Sequence, residues 1–295
     1  MKEFGLWLSL LVSSLSAASA QVTVEILQEQ DQFLPGESVP AAVRIINRSG
    51  QTLRLGKEQD WLAFSVESLD GLVAAKTGEV PVAGEFVLDS SKMATKRVDL
   101  APYFSLGVPG HYTVLATVRI TDWDHRVTSP PKGFDIIQGA KLWEQEFGVP
   151  EPAGATNAAP EVRRYILQQA NYLKGELRLY LRVTDASGTK VFRVFPIGRM
   201  LSFSRPEAQV DKLSNLHVLF ANGPHSFNYT LFSPDGDVLA RRTYDFLNSR
   251  PRLQVDAAGT FSVAGGVRRV TATDLPMLGP ATLPNDAQTS KPLER

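Results

Sequence analysis

The chain has 295 residues, room for two domains at the usual ~100–200 residues each. Lysine plus arginine and aspartate plus glutamate both number 31, a balance that argues against a strongly basic nucleic-acid binder and against an acidic tail. Hydrophobic residues make up 43% and charged residues 21%, enough apolar material for real cores, and the absence of cysteine excludes disulfides, thiolate nucleophiles, Cys-ligated zinc, iron–sulfur clusters and cysteine lipidation.

The first twenty residues form an export pattern. Met1–Glu3 is a short polar start, Phe4 to Leu15 is apolar apart from three serines, and Ala18-Ser19-Ala20 supplies small side chains at −3 and −1. Cleavage between Ala20 and Gln21 is therefore expected. The apolar run is too short for a stable membrane span, and no second long run follows it. The predicted location is periplasmic, cell-surface or extracellular, and a cysteine-free exported chain suits a bacterial envelope.

Residues 22–138 alternate and punctuate as strands do. Val22-Thr23-Val24-Glu25-Ile26 alternates, Leu34-Pro35-Gly36-Glu37 reads as a turn, and Val39 to Ile46 is rich in β-branched residues. Further strands are predicted at 53–55, 61–66, 84–88, 96–100, 112–121 and 134–138, with turn chemistry between them. Strands this short and this frequent bury one face each by pairing two sheets.

Leu106-Gly107-Val108-Pro109-Gly110-His111-Tyr112-Thr113-Val114 places a tyrosine just after a turn and at the head of an alternating strand. This resembles the tyrosine corner of immunoglobulin-like domains, with Tyr112 as the corner residue. Over residues 22–140 the pattern is similar to secreted bacterial immunoglobulin-like or macroglobulin-type modules, without the cysteine pair of antibody domains. The resemblance implies a fold and no activity.

Residues 148–161 carry prolines, glycines and alanines with almost no bulky apolar side chain, so they read as a linker. The tail from 275 to 295 reads as disordered for the same reason. The expected organisation is a signal peptide over 1–20, an immunoglobulin-like β-sandwich over 21–147, the linker, and a second antiparallel β domain over 162–274. In that second half Ser204-Arg205-Pro206-Glu207-Ala208-Gln209-Val210-Asp211 recurs as Ser249-Arg250-Pro251-Arg252-Leu253-Gln254-Val255-Asp256, six matches of eight at an offset of 45. The recurrence predicts repeats of that length, with both valines facing a core and both aspartates accepting backbone hydrogen bonds in the next turn. Val162, Tyr165, Ile166, Ala170 and Leu173 also fit one helix face, but the repeat favours a strand there.

Short motifs give little chemistry. Gly50 to Glu58 imitates a phosphate-binding loop, but its glycines are too far apart, Glu58 stands where a serine or threonine is needed, and the segment lies between strands. Ser129-Pro130-Pro131-Lys132 and Lys76-Thr77-Gly78 match two β-lactamase elements in the wrong order. Asp122-Trp123-Asp124-His125 gathers carboxylates, an imidazole and an indole at a strand end. Alternation separates His125 from the two aspartates, so a shared metal is not expected, and Asp122, Trp123 and Asp124 are the candidate ligand contacts. No catalytic, cofactor-binding or metal motif is present, and no cofactor is expected. The chain reads as an all-β, non-catalytic exported binding or scaffold protein, with a protein or carbohydrate partner and self-association through the repeat half. The alternative is a secreted polysaccharide or peptide hydrolase whose active site is dispersed over distant strands.

Overall fold

A computed structural model describes residues 21–150 and 161–275, except 70, 72 and 174. The export segment, most of the linker and nearly all of the tail lie outside the described residues. Among the described residues the chain is strand throughout, with two single 3₁₀ turns and no α-helix.

The first module pairs two sheets. Val22–Leu27, Pro40–Asn47 and Met93–Asp99 form an antiparallel three-stranded sheet in that spatial order. Facing it, Gly110–Ile120 is flanked on one side by Leu62–Ser68 and on the other by Lys132–Ile136 and then His125–Thr128. The short strand Gln32–Phe33 adds to Lys132–Ile136 in parallel. Alternation decides what is buried: Val22, Val24 and Ile26 face Val114, Ala116 and Val118 across the core, while the residues between them reach solvent. The Tyr112 hydroxyl donates to the Val108 carbonyl at 2.8 Å, tying the strand to the turn before it.

In the second module Ala140–Gly148, Val162–Leu173, Glu176–Asp185 and Val191–Arg199 form an antiparallel meander. Tyr165, Leu167, Leu179, Leu181 and Val183 pack from it onto Leu216, Val218, Phe220 and Phe232 of a five-stranded sheet. That sheet runs Glu207–Val210, Leu216–Gly223, Ser226–Phe232, Val238–Asp245 and Val267–Arg269. Its other face is covered by the hairpin Arg252–Val255 and Phe261–Ala264. Val162–Leu173 is a twelve-residue strand. Its helix-like apolar spacing arises because both faces are used: Tyr165 and Leu167 enter the second core, and Ala170 faces the first module.

The strand before the proline-rich segment pairs with the strand after it, and Val149 N–H donates to the Glu161 carbonyl at 2.8 Å. Residues 151–160 thus connect neighbouring strands of one sheet. A protease cut introduced there should leave both fragments in a single species on size-exclusion chromatography, separating only in denaturant; separation in native buffer would contradict this pairing.

The two copies of the repeated octapeptide end in the same turn. Asp211 Oδ1 accepts the N–H groups of Leu213 and Asn215, both at 2.8 Å. Asp256 Oδ1 accepts those of Ala258 at 2.9 Å and Thr260 at 2.8 Å. The fourth residue of each turn, Ser214 or Gly259, has positive φ. The valines differ. Val210 is half-buried against the second core, whereas Val255 is 55% exposed; of the two residues on that face of its strand, only Leu253 packs against a core. At the far end, Leu275 exchanges two backbone hydrogen bonds with Arg241.

The modules meet at the turn Leu34–Glu37. Proline at its second position and Gly36 at φ +82° make it a type II turn. Leu34 packs with Ala170, Tyr180 and Val194 of the meander. Arg182 donates to the Pro35 carbonyl at 2.8 Å, and a Cβ on Gly36 would sit 3.2 Å from the Val191 side chain. Glu37 is buried at this seam, accepting the Leu34 N–H at 2.8 Å and the Gln30 amide at 2.9 Å.

Candidate functional site

One end of the first module holds a recessed pocket of about 180 Å³. Its walls come from four separate segments: Arg54 to Glu58, Trp61, Glu85, and Arg119 to Asp122. Trp61 forms the floor. It is 2% exposed, donates its indole N–H to the Val82 carbonyl at 2.8 Å and meets Phe86 edge-on at 5.5 Å. An indole so enclosed shapes the pocket without offering a face for stacking.

Six charged side chains ring this floor, three of each sign: Arg54, Lys57, Arg119, Glu58, Glu85 and Asp122. Arg119 is held by Asp60 at 3.0 Å and Glu58 at 3.4 Å. Arg54, Lys57, Glu85 and Asp122 have no ion pair or side-chain hydrogen bond among the described residues. Unpaired charges of both signs around a recess suit a polar ligand that brings its own charges or hydroxyls. The segment resembling a phosphate loop contributes Lys57 and Glu58, but a 3₁₀ turn and strands surround it, and among the described residues no α-helix faces the pocket.

Gly56 allows the loop to close. Its φ is +86°, and a Cβ there would lie 2.0 Å from the Gly84 carbonyl oxygen. Gly56→Ala should cost about 2–4 kcal/mol, from left-handed strain and a collision with backbone. Urea denaturation measures this, and a variant as stable as the parent would show that the loop does not close this way.

The three candidate contacts divide. Asp122 lines the pocket. Trp123 is half-buried against the first core and does not line it. Asp124 sits beyond it at φ +46°, exposed in the turn that starts His125–Thr128. The structure thus brings Asp122 to the pocket and leaves Trp123 packed, and among the described residues no three histidine, aspartate or glutamate side chains converge to hold a metal ion. Glu85 and Arg119 carry no local sequence signal, because they reach the pocket only when distant strands pair.

A second polar cluster lies in the second module. His217 is buried, with Nδ1 2.9 Å from the Tyr229 hydroxyl and Nε2 3.2 Å from Asp211 Oδ2. Burial holds the imidazole below its ordinary value against the pull of Asp211. Burial works against Asp211 ionising, but hydrogen bonds from Asn215, His217 and the Leu213 N–H outweigh it and keep that carboxyl low. Burial pushes the Tyr229 phenol up to about 12. A carboxylate only accepts, so Nε2 carries the proton to Asp211 and Nδ1 accepts from Tyr229. Both ring nitrogens are engaged and Tyr229 is 3% exposed, so the array has no free base and no accessible nucleophile. It braces the Asp211 turn.

No protein-family model matches the chain, and no curated protein matches its sequence.

Proposed function

We propose that the chain is an exported, non-catalytic binding protein of the cell envelope or exterior, which takes a polar ligand in the end pocket of its first module. The observation that carries this reading is the ring of unpaired charges, Arg54, Lys57, Glu85 and Asp122, on a rigid floor at the loop end of a sandwich. Two sheets packed face to face and the Tyr112–Val108 hydrogen bond support an immunoglobulin-like first module. The matched Asp211 and Asp256 turns support a duplicated hairpin in the second, with exposed Val255 its main departure. Export rests on the segment before Gln21 and on the fold starting directly after it, where Val22 is already in the core.

The test is binding of the mature chain to envelope polysaccharides by interferometry, alongside an Arg54→Ala/Lys57→Ala variant. A ligand weakened at least about tenfold in the variant, equivalent to ~1.4 kcal/mol, is the expected result. Equal binding by both proteins, or release of hydrolysis products on incubation, would overturn it.

A further inference from the structure

The seam between the modules holds a second cleft, of about 250 Å³, built from residues that take no part in the end pocket. Its floor is the outer face of the three-stranded sheet. Leu27, Ala42 and Arg97 are direct cross-strand partners there, so their side chains stand in one row on the face turned away from the core. The far wall is Tyr172 of the second module, whose ring is pinned by the Arg178 guanidinium 3.4 Å from its centre. The cleft therefore exists only because the modules are docked.

Three features of the lining are unsatisfied. Arg97 is exposed and has no ion pair or hydrogen bond among the described residues, whereas the next row on the same face pairs Arg44 with Glu25 at 2.5 Å. Glu29, at the rim, is likewise unpaired. Gln28 buries both its amide nitrogen and its amide oxygen without a partner. A buried amide left unmet is costly; turned about its side-chain bonds into the cleft, it would offer one acceptor beside two donors, the complement of a peptide group.

We propose that this cleft binds a short free peptide, about the size of a dipeptide. Arg97 takes the terminal carboxylate through its planar fork, Glu29 takes the ammonium, the Gln28 amide meets the peptide group once its side chain turns out of its buried position, and Leu27 with Ala42 supports an apolar side chain. The volume sets the size, since pockets for drug-sized ligands begin at about 300 Å³. The lining explains a preference for peptides over simple carboxylates: acetate would satisfy Arg97 and leave Gln28 and Glu29 as they are.

The experiment is calorimetric titration of the mature full-length chain with alanyl-leucine and a panel of dipeptides with apolar C-terminal residues, with alanyl-leucinamide and acetate as comparators. Saturable binding of a dipeptide is expected, weakened at least about tenfold by amidation of its carboxylate or by Arg97→Gln, as suits loss of one charge-assisted contact. Tyr172→Ala should weaken it as well. Because Arg97 is exposed and unpaired, Arg97→Gln should keep the parent's urea midpoint, which separates lost binding from lost folding. No saturable binding across the panel, equal binding of peptide and amide, or an Arg97→Gln variant of unchanged affinity would each overturn the proposal.

Discussion

Replacing Glu37 with glutamine should abolish a pH dependence of stability amounting to about 3 kcal/mol. Burial raises the Glu37 carboxyl from an ordinary 4.5 to about 7, against the opposing Leu34 and Gln30 hydrogen bonds and the Arg178 charge. The folded state therefore holds this proton more tightly than the unfolded chain does. Its contribution is fully present below pH 4.5, falls as pH rises, and is exhausted above about 7. His217 runs in the opposite sense. Its folded value is lowered, so its contribution is present above 6.5 and is lost as pH falls. The measurement is accordingly the difference in urea stability between the parent and Glu37→Gln, taken from pH 4.5 to 8, in which His217 cancels. A difference that stays flat across that range would remove the buried seam carboxyl from the account. Arg178, Arg182, Tyr180 and Tyr172 are the polar groups the meander brings toward this turn, and all four persist in the variant.

Tyr165→Ala should destabilise the second module by about 4–5 kcal/mol, and Tyr165→Phe by about 1–2 kcal/mol. The ring is fully buried and stacks on Phe147 at 4.0 Å. Its hydroxyl lies 2.7 Å from the Ser233 carbonyl and 3.0 Å from that of Ser214, so one proton is shared between two hairpin turns of the facing sheet. Burial holds the phenol well above its ordinary value, so it remains a donor. Alanine removes the stacked ring and strands both carbonyls; phenylalanine removes only the donor. Fluorescence-detected unfolding separates the two. Equal losses for both variants would place the whole effect in the hydroxyl, and no loss in either would show that this contact does not join the sheets.

The strand character of each module was legible because it is local. Alternation along Val22–Leu27 and Gly110–Ile120 marks which side chains are buried, and the turn before Tyr112 marks where a strand must begin. The end pocket was legible only at Asp122 and, by a false likeness, at Lys57 and Glu58. The seam was not legible at all. Leu34-Pro35-Gly36-Glu37 has the composition of a solvated surface turn, and the residues that desolvate Glu37 lie some 140 positions away at Tyr180 and its neighbours. Total charge concealed a further asymmetry: residues 21–150 carry 17 acidic against 12 basic side chains, and residues 161–275 carry 10 against 16.

By itself, then, the amino-acid order determined the strand character and the turns, those at Asp211 and Asp256 among them, because backbone conformation and one-sided burial depend on near neighbours. Tertiary structure decided the rest. It made residues 151–160 a connection between adjacent strands, packed Leu253 but not Val255 of the same strand face against a core, and set Arg97 unpaired beside Tyr172. Each of these depends on which surface a strand meets, and that is fixed by packing between segments far apart in the chain.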